Sequence, residues 1–281
     1  FEIDTYLRDF SITSTTGGAD GVINAEEAGQ PLTFSGMTEP GSSVTVELGG
    51  ATTTAVVSSN GSWTATFAAG SVAAGTYTAT MTATATDAAG NVDTASTSVV
   101  VDTDAGVLTI DSTPVEGDDV VNEAEASDGV VLTGTADPGA VVTVAMEGVS
   151  HNVVANASGN WEAFFSANDV AAGVYTAEIT ATTTDAAGNS RSATHSVEVD
   201  TRVDNLSINA NDIAVDNIIS GAEANGNVVV NGTTEVGSTS VIVTLGGQTA
   251  FAVVDAAGNW SAVFNGGALA TGTYTTDVGV T

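Results

Sequence analysis

The sequence of 281 residues contains no cysteine and no lysine, and its positive side chains are limited to three arginines and two histidines. The lack of cysteine excludes disulfides, thiolate zinc sites and a cysteine nucleophile, although it leaves the cellular compartment open. The lack of clustered Lys and Arg excludes nucleic acid as a partner, because binding to phosphates requires such clusters.

Long apolar runs are also missing. The sequence has no apolar run of the roughly 18 residues that a membrane helix needs, and no N-terminal segment with a charged start and an apolar centre. It therefore predicts no membrane span and shows no signal peptide.

Acidic residues and small strand-forming residues make up much of the chain. The 34 Asp and Glu against three Arg give a formal net charge of −31, while 42% of the residues are hydrophobic. Thr, Ala, Val and Gly dominate and long-helix formers are scarce, which predicts a strand-rich chain. The apolar fraction suffices for a buried core once something relieves the repulsion among the acids.

One pattern occurs three times at a spacing of 98 residues. Trp63 and Trp161 keep this spacing, whereas Trp260 follows 99 residues after Trp161, so one residue is inserted in the third copy. A unit of this size matches a single β-sandwich domain. The recurring acids are Asp4, Asp102 and Asp200, then Asp20, Asp118 and Asp216, then Glu27, Glu125 and Glu223, then Glu39, Asp137 and Glu235.

These spacings predict repeats at residues 4–101, 102–199 and 200–281. Residues 1–3 are predicted to end the last strand of a preceding repeat, because Phe-Glu-Ile before Asp4 matches Val-Glu-Val before Asp200. The third repeat is predicted to be incomplete, without its last strand.

The second repeat predicts seven strands separated by turn formers such as Pro-Gly and Ser-Gly-Asn. In the sixth, Tyr175, Ala177 and Ile179 alternate with polar residues at a period of two, which predicts one buried and one solvated face. The seven segments are 107–111, 129–136, 140–147, 151–157, 160–166, 174–184 and 191–199.

Strands of this number and spacing predict an all-β fold of tandem seven-stranded immunoglobulin-like β-sandwiches in an elongated array. Tyr77, Tyr175 and Tyr274 enter the sixth strand, where a tyrosine corner is expected. The three tryptophans open the fifth strand and are predicted to pack in the cores rather than to stack on carbohydrate.

The turns carrying the acids are predicted to meet at the ends of the sandwiches. The turn between strands one and two lies at the same end as the last residue of strand seven, facing the turns after strands two and six of the next repeat. This construction gathers Asp20, Glu27, Asp102, Asp137 and Asp185 at the first junction. At the second junction it gathers Asp118, Glu125, Asp200 and Glu235.

Four or five carboxylates at one place repel one another unless a cation lies among them. Hard oxygen ligands without nearby His or Cys suit Ca²⁺ better than zinc or magnesium. Asp87, Asp216, Glu223, Asp4 and Glu39 complete the candidate ligands from their equivalent positions in the other repeats.

Two turns stand out. Asp-Gly-Val-Ile-Asn-Ala-Glu-Glu (20–27) is interpreted as a calcium loop, although it lacks the twelve-residue spacing of an EF-hand. Asp-Ala-Ala-Gly-Asn occurs at 87–91 and 185–189, and again at 255–259 before Trp260. Asp87 and Asp185 are either cation ligands or turn caps, since an Asx-turn or a solvated charge is the alternative for any single Asp.

The strings D-x-x-I-N-x-x-E, T-E/D-P-G-S/A-x-V-T-V, A-A-G-x-Y-T-A and A-T-D-A-A-G-N resemble the bacterial Ig-like repeats of giant surface adhesins, including RTX adhesins and biofilm-associated proteins. The resemblance covers nearly the whole chain. It implies extender domains, rigidified by calcium, that hold a terminal adhesive domain away from a bacterial cell for attachment and biofilm formation. The third repeat departs from it at Glu235-Val236-Gly237, where Pro is expected.

An enzyme is not expected. His151 and His195 do not recur in other repeats, and Arg8, Arg191 and Arg202 are too few to clamp an anionic substrate. The predicted partners are neighbouring repeats of the chain and, through other domains, a host or surface ligand.

Two alternatives stay open. One is a subunit of a self-assembling surface filament. The other is a glycan-binding or cell-binding module, whose differences between repeats, such as 146–151 against 47–52, would carry the specificity.

Overall fold

The structure, a computed structural model, describes residues 3–14, 20–209, 213–214, 216–273 and 275–281. By its contacts the chain divides into two compact units. The first runs to Val199 without residues 172–174, and the second comprises those residues and 200–281. Among the described residues, no helix combines the length and apolar character that crossing a membrane requires.

The first repeat is a sandwich of two sheets. One sheet has the order β1-β3-β7-β6, and the other β2-β9-β8-β4-β5. The elements are β1 (Ser11–Ile12), β2 (Val22–Ile23), α1 (Ala25–Ala28), β3 (Leu32–Met37), β4 (Ser43–Leu48), β5 (Ala51–Thr54), β6 (Val56–Val57), β7 (Ser62–Phe67), β8 (Thr76–Thr86) and β9 (Val92–Asp102).

The second repeat has the same two layers. Its sheets have the orders β10-β12-β15 and β11-β17-β16-β13-β14. The elements are β10 (Leu108–Ile110), a 3-10 turn (Val115–Gly117), β11 (Val120–Asn122), α2 (Glu123–Asp128), β12 (Val130–Ala136), β13 (Val141–Met146), β14 (Val149–Val154), β15 (Asn160–Phe165), β16 (Val174–Thr184) and β17 (Ser190–Asp200).

All seven strands predicted in the second repeat are present, and the all-β immunoglobulin-like prediction is confirmed. The fourth differs most, since β14 begins at Val149 and ends at Val154 rather than spanning 151–157. It ends early because Asn156 closes a tight loop onto Asn160, whose backbone oxygen accepts a hydrogen bond from the backbone N–H of Asn156 at 2.8 Å.

The segment interpreted as a calcium loop instead forms a short strand followed by a one-turn helix. In the first repeat β2 runs parallel to β9, with Ile23 opposite Val101. Both side chains are fully buried, so this strand closes one end of the core. The helix α1 begins with a capping box, in which Asn24 and Glu27 each bond the backbone N–H of the other.

The third repeat lies in the second unit and repeats the first part of the pattern. Its sheets have the orders β18-β19-β23-β22 and β21-β20-β24. The elements are β18 (Ser207–Ile208), α3 (Gly221–Asn225), β19 (Val228–Thr233), β20 (Ile242–Leu245), β21 (Gln248–Phe251), β22 (Val253–Val254), β23 (Asn259–Phe264) and β24 (Val278–Val280).

Each repeat encloses its own hydrophobic cluster, in which its tryptophan is at most 2% exposed. The tyrosine corner is present twice, with the Tyr77 hydroxyl donating to the Ala73 carbonyl and the Tyr175 hydroxyl to the Ala171 carbonyl, both at 2.9 Å. Tyr274, Phe1 and Glu2 lie outside the described residues. The repeat boundaries at Asp4, Asp102 and Asp200 stay predictions.

Candidate metal centre and repeat junction

Three of the predicted ligands lie together at one end of the first repeat. Asp4, Glu39 and Asp87 each place one carboxylate oxygen within 4.8 Å of the others. Asp4 precedes the first strand, Glu39 lies in the turn between β3 and β4, and Asp87 follows β8. Topology thus joins residues that are far apart in sequence.

The Asp87 carboxylate is oriented by its own turn. The backbone N–H of Asn91 donates to Asp87 Oδ1 and the Asn91 side-chain amide donates to Oδ2, both at 2.8 Å. Hydrogen bonds from the Asn91 side chain lower the pKa of Asp87 by more than its partial burial raises it. Near neutral pH this group is therefore a carboxylate.

The same loop forms wherever Asp-Ala-Ala-Gly-Asn occurs in the sequence. Asp185 Oδ1 accepts the Asn189 N–H at 2.9 Å and its Oδ2 accepts the Asn189 amide at 2.8 Å. Asp255 and Asn259 repeat these bonds, although their loop lies before β23. The motif is thus a self-closed turn whose first residue is an Asx cap. These contacts fit the turn-cap alternative for Asp87 and Asp185, and cation binding by the two residues stays a prediction.

The turn of the second repeat also contacts the first repeat. Asn189 Oδ1 accepts the backbone N–H of Ala25 at 2.8 Å, and the Asn189 amide donates to the Asp102 carbonyl at 2.8 Å. The Asn24 amide donates to the Ala187 carbonyl at 3.0 Å. Asn189 is only 5% exposed. Three of the four segments predicted to meet at the first junction therefore touch, through side-chain amides and backbone groups rather than carboxylates.

Most of the recurring acids accept a backbone N–H close by in sequence. In the first turns, Asp20, Asp118 and Asp216 each accept the N–H two residues later, at 3.0 Å. Asp102 and Asp200 do the same at 3.3 and 3.2 Å. These hydrogen bonds give each carboxylate a local partner that does not require a cation.

A second set of acids caps helices. Glu27, Glu125 and Glu223 are the third helical residues of three capping boxes. The pKa of Glu223 is lowered, and the largest cause is a hydrogen bond from the Ser220 side chain. Helix capping therefore gives the second recurring acid a structural role.

The third set of acids holds the N-terminal segment of its own repeat. Glu39 accepts the Arg8 N–H at 3.3 Å, Asp137 the Val107 N–H at 3.1 Å, and Glu235 the Asp204 N–H at 3.2 Å. Each of these hydrogen bonds holds that segment against the turn that follows β3, β12 or β19.

The sets of acids predicted at the two junctions stay predictions. Among the residues that the structure describes, Asp4, Glu39 and Asp87 are the acids close enough to share one ion. In the second unit, Asp200 and Glu235 line one surface cavity of about 470 Å³.

The sequence did not lead us to predict the contacts of Asn24, Ala25 and Asn189 between repeats, because the prediction of the junction considered only charged residues. A signal was available, since Asn24 recurs at Asn122 and Asn189 matches Asn91. His195 has a partner within the second repeat: its Nε2 lies 2.9 Å from Asp119 Oδ1, and this hydrogen bond is the main cause of the lowered pKa of Asp119.

Comparison with known proteins gives the family. Among solved structures, the Ca²⁺-stabilized adhesin with which an Antarctic bacterium binds ice is 32% identical, with 94% of this chain and 68% of that chain covered and a TM-score of 0.44. A 1.5-MDa bacterial ice-binding adhesin is 28% identical over 88% of this chain and 83% of that chain, with a TM-score of 0.41. An immunoglobulin-like domain of the M. primoryensis ice-binding adhesin is 32% identical over 34% of this chain and 98% of that chain, with a TM-score of 0.27.

No curated protein sequence shows a significant match. The sequence profile of the bacterial Ig-like domain matches twice, over residues 7–103 and 109–201. These two matches span more than half of the sequence, and the chain belongs to the bacterial Ig-like domain family.

Proposed function

We propose that this chain is an extender segment of a bacterial cell-surface adhesin, stabilised by calcium and projecting a terminal adhesive domain for attachment and biofilm formation. The observation that carries the calcium role is the group formed by Asp4, Glu39 and Asp87. The proposal assigns no catalytic role to the chain and places it outside the cell.

The chemistry of this group fits calcium. Ca²⁺ binds oxygen ligands at about 2.3–2.6 Å, so two ligands on one ion lie at most about 5 Å apart. The separation of up to 4.8 Å among the three carboxylate oxygens satisfies this limit. Without a cation, three carboxylates at this spacing repel one another.

Two neighbouring hydroxyls add to the fit. Thr38 and Ser42 flank the Glu39 turn and are 2% and 6% exposed. In the described part of the chain, neither side-chain oxygen has a hydrogen-bond partner. Buried oxygens usually have partners, so this turn has unused capacity for coordination or for a bound water.

The repeats support the extender role. Each sandwich has its own core, and Glu39, Asp137 and Glu235 each hold the N-terminal segment of their own repeat by a backbone hydrogen bond. A chain built from such units suits a spacer whose stability depends on cations at acidic turns.

Thermal unfolding in millimolar CaCl₂, in MgCl₂ and in chelator tests the calcium role. We expect calcium to raise the unfolding temperature of the first repeat more than magnesium does, because a ligand of the folded state stabilises it. Glu39→Gln is expected to reduce this gain. Glu47→Gln removes an exposed charge on β4 and serves as the control.

An equal gain in both salts, or an unchanged gain in Glu39→Gln, would reject the calcium site. Small-angle scattering of the whole chain then tests the spacer role. We expect a longer maximum dimension in calcium than in chelator, and identical curves would contradict calcium-dependent stiffening.

A further inference from the structure

The contacts of Asn189 define a surface that recognises one feature of the preceding repeat. Asn189 uses both ends of its amide: Oδ1 accepts from Ala25, and Nδ2 donates to the Asp102 carbonyl and to Asp185 Oδ2. Its backbone N–H is held by Asp185 Oδ1. The side chain is thus fixed by its own turn before it meets the first repeat.

The matching feature on the first repeat is the start of α1, here called the capping corner and consisting of Asn24 and Ala25. Asn24 Oδ1 is occupied by the Glu27 N–H at 3.0 Å, which leaves its amide group free to donate to Ala187. The helix cap therefore orients the side-chain amide of Asn24 as a donor, and the 185–189 turn orients the Ala187 carbonyl as its acceptor.

The first repeat shows the same turn without a capping corner against it in the described residues. Asn91 forms the bonds to Asp87 that Asn189 forms to Asp185. Ala89 is exposed and Asn91 half-buried, whereas Ala187 and Asn189 are buried. The turn therefore folds into its docking geometry without the corner, and contact with the corner accounts for the added burial.

We propose that the Asp-Ala-Ala-Gly-Asn turn after the sixth strand is a docking surface for the capping corner of the preceding Ig-like repeat, and that it orders the junction without calcium. Asn189 is the positioning residue. The turn at 87–91 offers the same surface to the Asn-Ala corner of another repeat of this kind. The inference deepens the proposed extender role and rests on it.

Two substitutions in the corner remove docking and keep the helix. Ala25→Pro deletes the N–H that Asn189 accepts, at the first helical position, where proline is well tolerated. The extended backbone of Asn24, with φ −86° and ψ −179°, is compatible with a following proline. Asn24→Asp keeps a good cap but loses the amide that donates to Ala187.

The second repeat offers matched controls. Among the described residues of the first unit, the hydrogen bonds of Asn122 are those of its own cap. Asn122→Asp therefore makes the same change at the equivalent cap of α2, and Glu123→Pro places proline at the same helical position while also removing one charge, both away from the first junction.

The measurement is the width of the distance distribution between two spin labels. The chain has no cysteine, so Thr64→Cys and Glu162→Cys, both exposed, label one repeat each. In chelator we expect a narrow distribution for the otherwise unchanged chain and for both controls. Ala25→Pro and Asn24→Asp should widen it at least twofold while tryptophan fluorescence stays native.

A wide distribution in chelator before any corner substitution would overturn the proposal, as would unchanged widths in folded Ala25→Pro and Asn24→Asp. If Ala25→Pro fails to fold, Asn24→Asp decides. The unfolding series with Glu39→Gln tests the calcium role separately, because its site lies at the turn that holds Asp87 and not at the capping corner. Unchanged widths in the corner variants together with a calcium-specific gain in that series reject docking alone, and wider distributions in the corner variants without that gain reject the calcium role alone.

Discussion

A glycine beneath the tryptophan is a shared requirement of the three cores. Gly36, Gly134 and Gly232 lie opposite Trp63, Trp161 and Trp260 on the paired strand. A Cβ at Gly134 would lie 2.3 Å from Trp161 Cζ2 and 2.1 Å from the Thr109 carbonyl oxygen. The indole therefore occupies the space that any other side chain would need.

Gly134→Ala is expected to destabilise the second repeat by about 1–3 kcal/mol, since the added methyl overpacks a filled core. Chemical denaturation, monitored by hydrogen exchange of the β15 backbone amides, measures the change in the stability of the second repeat. Gly139→Asn is the control, because Gly139 has φ +82° with open space around it and Asn tolerates this conformation. Equal effects of the two substitutions would contradict the packing argument.

The Asp255 loop predicts a pH dependence. Hydrogen bonds from Asn259 lower the pKa of Asp255, so its contribution to stability is present above the unfolded pKa of about 4 and is lost as the pH falls through the lower folded pKa. Asp255→Asn keeps an Asx cap, as Asn156 does in its own loop. We expect this variant to be less protected than the parent at pH 7, and the difference to shrink as the pH falls through the lowered pKa of Asp255.

Hydrogen-exchange mass spectrometry of residues 255–264 at each pH measures this difference. Comparison of variant and parent at the same pH cancels the intrinsic pH dependence of exchange. A protection difference that stays constant in a pH series from 7 to well below 4 would show that the Asp255 charge is not its source.

At the scale of elements, the short helices are the features that sequence reasoning misassigned. The string Asn-Ala-Glu-Glu holds a capping-box pattern at Asn24 and Glu27, although its acids favour the interpretation as a cation loop. The helix spans only Ala25–Ala28, too short to show a hydrophobic period. The long strands β8 and β16 were predictable, because apolar and polar residues that alternate over eleven positions fit a half-buried strand and not a helix.

Removal of a cap tests this assignment. Asn122→Ala should destabilise the second repeat by about 1 kcal/mol, because the Ala124 and Glu125 N–H groups lose their acceptor. Asn122→Ser should retain most of the stability, since Ser220 caps the equivalent helix. Thermal unfolding of the parent chain, Asn122→Ala and Asn122→Ser ranks their stabilities. A loss of stability in Asn122→Ser as large as that in Asn122→Ala would contradict the capping role.

At the scale of the whole molecule, charge dominates. A net charge of −31 disfavours the compact state through self-repulsion. Arg191 lies 3.6 Å from Asp104, but such exposed pairs contribute little. Most of the relief must therefore come from ions in solution or from cations at acidic turns.

We expect NaCl to raise the unfolding temperature by several degrees between about 10 mM and 150 mM, as the Debye length shortens from about 30 Å to 8 Å. Differential scanning calorimetry in chelator measures this screening separately from calcium binding. Near the isoelectric point of about 4.1 the effect should disappear. An equal salt effect at both pH values would assign it to something other than net charge.

The amino-acid sequence by itself determined the all-β class, the repeat spacing and the strand segments, because periodic burial and turn chemistry are local properties. Tertiary structure decided how the acids are used, because the same Asp can accept a backbone N–H, cap a helix or face other carboxylates. Asp87 joins Asp4 and Glu39 only when three turns converge, and Asn189 meets Ala25 only across 164 residues. Such groupings depend on how separate turns come together in space, which no local pattern encodes.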